Sequence, residues 1–120
     1  MSDLAVESAL ATELWISFVS LVRSYAGVAG LHGGDGVDVV VSGDSVQLSA
    51  GRVECMMRLA EESGAVVWSL RDDLRELAAG RVELRPDGRI EQDGTDQEMD
   101  SVAIDMVARV RDRAGKEGRR

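Results

Sequence analysis

The chain has 120 residues, and that length bounds it to one domain able to bury roughly two-thirds of its unfolded surface. Its formal net charge is −8, with thirteen arginines and a single lysine, Lys116, so its field repels a phosphate backbone and general nucleic-acid binding is not expected. Only Trp15, Phe18, Tyr25 and Trp68 are aromatic, too few for base-stacking platforms or aromatic cages, and the one cysteine, Cys55, makes no intramolecular disulfide.

The opening MSDLAVESAL is acidic where a secretory signal would be basic. The most apolar run, residues 14–22, is nine residues long, against the roughly twenty a bilayer span needs. The expectation is a soluble, cytoplasmic chain without membrane contact. Residues 3–26 carry helical periodicity, capped by Ser2 or Asp3 and ended by Gly27 and Gly30. One face runs Leu10, Leu14, Phe18, Leu21, Tyr25, and a second runs Ala11, Trp15, Val19, Val22, Ala26. Only Glu13, Ser17, Ser20 and Ser24 form a polar stripe. A helix on one sheet needs an apolar stripe of about 100°. This helix exceeds that, so something must cover its second face.

Residues 26–41, AGVAGLHGGDGVDVVV, hold five glycines and the only histidine, His32. Phosphate-cradling loops run strand, glycines, helix, and so aim a helix N-terminus at the anion. Here the order is inverted, Asp35 and Asp38 add negative charge, and no lysine follows the glycines. The loop is expected to be a hinge. His32 lacks a second histidine or a spaced cysteine for a metal site. A Cys55–His32 nucleophile pair is opposed by the alternation of Cys55 with Val53 and Met57, which marks a core thiol.

Strands are expected at 37–42 and 44–49, about a type II′ turn at Gly43-Asp44. The next strand alternates Val53, Cys55, Met57, Leu59 on one face with Glu54, Met56, Arg58 on the other. After a turn at Ser63-Gly64, residues 65–71 return, with Val66, Trp68 and Leu70 assigned to the outer face beside Met56. Asp73 and Glu76 have capping-box spacing, and Leu74, Leu77 and Ala78 share a helical face, predicting a short helix that ends at Gly80. Residues 81–94 form a hairpin about Pro86-Asp87-Gly88. Thr95 and Glu98 form a second capping box, and Asp96 and Asp100 favour the first turns of a last helix. Its stripe is Met99, Val102, Ala103, Met106, Val107, Val110 and Ala114, with Gly115 as its stop. The fold class expected is α+β: an N-terminal helix, an antiparallel sheet of about five to six strands, and a C-terminal helix packed on one sheet face. Residues 1–114 form the domain, and 115–120 a flexible basic tail.

Chemistry-bearing constellations are thin. An EF-hand frame with Gly94 sixth puts Arg89 first, where a carboxylate is required, although Glu91, Asp93 and Asp100 loosely fit later positions. Glu61/Glu62 and Asp72/Asp73 fall at turns or caps, where solvated acids are ordinary. No catalytic residue, cofactor or metal is assigned. The apolar second face of the first helix and an outer sheet face carrying Met56 and Trp68 both need cover, which a symmetric homodimer supplies. The interaction residues expected are Trp15, Val19, Val22, Met56 and Trp68. The expected function is a small acidic, non-enzymatic interaction protein, a homodimeric adaptor or chaperone-like module with a possible protein partner. In element order and acidity the chain resembles the compact α+β chaperones of type III secretion. The competing expectation is a small-ligand-binding or enzymatic domain with a pocket between sheet and helices.

Overall fold

Alternation dominates the middle of the chain, and the backbone follows it. The computed structural model describes residues 2–31, 36–60, 64–73 and 75–117, with 2–8, 29–31 and 115–117 described by backbone alone. Helix α1 (Ser2–Leu31) is followed by seven strands: β1 (Asp38–Ser42), β2 (Ser45–Ala50), β3 (Val53–Ala60), β4 (Ala65–Asp72), β5 (Arg75–Leu84), β6 (Arg89–Gln92) and β7 (Thr95–Glu98). Helix α2 (Met99–Glu117) closes the order. The strands pair antiparallel in chain order as one seven-stranded meander, and β1 and β7 are its edges. The α+β class holds, with more strands than the five to six expected.

Turn chemistry sets the first and last hairpins. Gly43 has φ +57°, and Asp44 does not share the positive sign, as a type II′ turn requires. Asp93 (φ +55°) and Gly94 (φ +80°) are both left-handed, the type I′ requirement, and they join β6 to β7.

The buried face of the sheet comprises Val46, Leu48 and Ala50 of β2, Val53, Cys55, Met57 and Leu59 of β3, and Val66, Trp68 and Leu70 of β4. Val82, Leu84 and Ile90 extend it through β5 and β6. Helix α2 crosses this face over β2, β3, β6 and β7, laying Met99, Val102, Ala103, Met106, Val107 and Val110 into the core. The stripe expected for the last helix is therefore buried as read, with Ala114 packed at its margin. Full burial of each large side chain is worth about 1.5–3 kcal/mol. Helix α1 packs along α2 and against β1 and β5. Tyr25 of α1 donates its hydroxyl proton to the carboxylate of Asp100, in the first turn of α2, at 3.3 Å.

Several boundaries differ from expectation. Helix α1 runs through Gly27 and Gly30 to Leu31, so these glycines do not end it. A helical glycine costs only about 1 kcal/mol relative to alanine, and burial of Val22 and Ala26 just before Gly27 anchors this stretch. The short helix expected from Asp73 to Gly80 is strand β5. The capping box at Thr95 and Glu98 lies in strand β7 and Asp96 with it, so α2 begins at Met99. Helix α2 also continues through Gly115, the expected stop, to Glu117. The element order behind the likeness to secretion chaperones thus loses its middle helix.

Candidate interaction surface

One face of the sheet carries both helices, and the other carries no described element. The register places its residues in rows across the strands. The central row is Val40, Gln47, Met56, Ser69 and Ala79, uncharged throughout. On one side lie Asp38, Ser49, Glu54, Arg71 and Glu76, and on the other Ser42, Ser45, Arg58, Val67 and Arg81. Val40 and Met56 of the central row are 58% and 41% exposed, and Val67, between Arg58 and Arg81 in the flanking row, is 47% exposed, so this face presents aliphatic surface to water. Gln47 donates a side-chain hydrogen bond of 2.7 Å to Glu54. Arg81 pairs with Glu83 at 3.3 Å. Charge thus borders the neutral band rather than interrupting it.

Of the five residues expected to meet a partner, only Met56 lies on this surface. Trp15, Val19 and Val22 are buried in the core, covered from within the chain because α1 packs on α2 as well as on the sheet. Trp68 is buried too. It pairs with Met57 and Gly80, so Val66, Trp68 and Leu70 face the helices. Cross-strand partners share a face, and Ala60 pairs with Ala65, four residues lying between them in the sequence. Any loop of even length pairs the odd positions of β3 with the even positions of β4, and that parity was the signal that places Trp68 inside. Val40 and Val67 were not singled out in the sequence, although Val67 sits opposite Arg58, which was assigned outward, and Val40 shares a row with Met56 through Gln47.

The Trp68 environment is packed rather than open. A Cβ on Gly80 would lie 2.8 Å from the indole, so the ring occupies the space that a side chain there would need. The Arg109 guanidinium sits 5.2 Å from the ring centroid and pairs with Asp105 at 3.1 Å. Trp68 Nε1 finds no acceptor among the described residues. Burial pushes the Cys55 thiol up to about 12, with Arg109 drawing it partly back, so Cys55 is a protonated core residue rather than a nucleophile.

The remaining candidate groups disperse. His32 and Asp35 lie outside the described residues, as do Glu61 and Glu62. Asp72 lies 4.0 Å from Arg113, and Asp73 sits at φ +59° in the turn before β5. In the acidic stretch once framed for calcium, Glu91 and Asp96 pair with Arg85 at 2.8 and 3.6 Å, and Glu98 pairs with Arg89 at 3.7 Å. Among the described residues no three His, Cys, Asp or Glu side chains gather into a metal-holding group. Among the described residues, too, no helix is long and apolar enough to cross a membrane. A shallow depression of about 150 Å³ between Arg81, Glu83, Glu91 and Asp93 opens to solvent. No family model, curated protein or solved structure matches the chain.

Proposed function

We propose that the chain is a small, acidic, non-enzymatic interaction protein that acts as a homodimeric, adaptor-like module and presents its open sheet face to a protein partner. One observation carries this reading: Val40 and Met56 of the uncharged row, with Val67 between Arg58 and Arg81 in the next row, lie exposed on the face that carries no described element, and Glu54 and Arg71 stand on the other side. An aliphatic centre within a charged rim is the anatomy of a docking patch, in which apolar area supplies adhesion and the rim selects the partner. Of the charged groups beside this band, Arg81 is paired with Glu83 and Glu54 accepts a hydrogen bond from Gln47.

The test compares two baits, the parental chain and a Met56→Glu/Val67→Glu variant, in pull-downs from native lysate read by mass spectrometry. Both substitutions are at exposed positions, so the variant keeps its circular dichroism spectrum and melting midpoint. A protein retained by the parental bait and lost from the folded variant supports the reading. Identical protein profiles, or a metabolite retained by both baits with no protein, contradict it.

A further inference from the structure

We infer that β1 is the dimerisation edge: two copies pair their β1 strands antiparallel about a two-fold axis at Val40, making one continuous sheet. The inference rests on the homodimeric reading above and adds the interface. The buried rows of the sheet stop short at this strand. Val41 stands opposite Val46, which is fully buried, yet Val41 is 42% exposed although it shares the helix-facing side. Val39, opposite buried Leu48, is only partly covered. The apolar layer and the hydrogen-bond ladder therefore both run out at β1.

The open edge fits itself. The two-residue turn at Gly43-Asp44 makes Ser42 and Ser45 a hydrogen-bonded pair. By alternation, Val40 and Asp38 also spend their main-chain groups on β2, and Val39 and Val41 aim theirs at the open edge. When a second β1 lies antiparallel about Val40, Val39 meets Val41 of the other copy. Both then exchange N–H and C=O bonds, with Val40 against Val40 as the intervening non-bonded pair. The segment Asp-Val-Val-Val-Ser sets Asp38 against Ser42, so no like charges meet across the pair. A one-residue slip would destroy this match and turn Val41 to the other face.

The opposite edge is unsuited to the role. Strand β7 is Thr-Asp-Gln-Glu, with Asp96 and Glu98 held by Arg85 and Arg89, which is a charged and blunted edge. Pairing β1 with β7 of another copy would set valines against carboxylates and propagate an open fibre. Pairing β1 with itself closes at two. The product doubles the uncovered sheet face, with the two Val40 side chains at its centre.

The experiment uses the full chain in three forms: parental, Val40→Cys and Val41→Pro, with Val67→Cys as a face control. Non-bonded antiparallel partners have Cα atoms about 4.5 Å apart, within disulfide reach. Under mild oxidation Val40→Cys forms an intermolecular disulfide and Val67→Cys does not; buried Cys55 stays silent in the parental chain. Val41→Pro removes an N–H aimed at the open edge, leaves the β2 ladder intact, and weakens self-association about tenfold or more by analytical ultracentrifugation. A parental dimer with no Val40→Cys disulfide, or with Val67→Cys cross-linking instead, overturns the β1 interface while leaving self-association in place. So does a folded Val41→Pro variant that dimerises as well as the parent. A parental chain that sediments as a monomer throughout overturns the β1 edge and the homodimeric reading together.

Discussion

Gly80 and Trp68 show how closely single positions are specified. The indole fills the place of a Gly80 side chain, so Gly80→Ala forces Cβ to 2.8 Å from ring atoms unless strand or ring moves. Overpacking of this kind costs about 1–3 kcal/mol, which urea unfolding followed by tryptophan fluorescence would measure. An unchanged midpoint would place the ring elsewhere. Cys55 makes a prediction of opposite character. Its thiol is pushed from 9.0 to about 12 in the fold, so ionisation is easier in the unfolded chain. The contribution of the buried thiol to stability is intact below about pH 9 and is lost as pH rises from 9 towards 12, by about 4 kcal/mol in all. Tyr25 acts in the same direction, its phenol raised by partial burial and then by Asp100. A Cys55→Ala variant should show a flatter alkaline melting profile than the parent. Core status for Cys55 was legible from its alternation with Val53 and Met57; Trp68 needed the loop parity between β3 and β4 as well.

At the scale of elements, period-two alternation was readable wherever a strand was long and regular, as in β3. It failed where the strand was irregular. Leu70 pairs with Ala78 but Arg71 pairs with Glu76, so Leu77 is an extra residue, a β-bulge. Leu77 and Ala78 both pack partly against the core. A bulge brings consecutive residues towards one side and erases alternation, and that is how a strand came to carry helical spacing. Strand β7 has only four residues, too few to declare a period, and its Asp93-Gly94 turn was the local signal that a further hairpin followed. Gly94→Ala should cost about 1 kcal/mol, because φ +80° strains any residue with a Cβ. Helix α2 offers a paired comparison. Met106→Ala, in the core, should lower stability by about 2–5 kcal/mol, whereas Ile104→Ala, on the solvent side, should stay within about 0.5 kcal/mol. Equal effects in thermal unfolding would mean that α2 is rotated from the orientation described.

For the molecule as a whole, the unusually apolar first helix was legible as a demand for cover, but not as to what supplies it. The second face of α1 is met by α2, an element about eighty residues away along the chain, and no local pattern announces that contact. Exposed apolar side chains are shared between the sheet, at Val40, Val41, Met56 and Val67, and the helices, at Ile16, Val28 and Ile104, but only on the sheet do several of them lie on one face. The proposed platform rests on a sheet face that carries no described element and on the edge strand β1, in a chain with a net charge of −8. The most direct measurement is size-exclusion chromatography with multi-angle light scattering across a hundredfold concentration series reaching about 1 mM, beyond ordinary micromolar dissociation constants. The account predicts a mass rising to twice 12.9 kDa and no further, as a closed two-fold assembly requires. A mass held at 12.9 kDa throughout, or one climbing without limit, would contradict it.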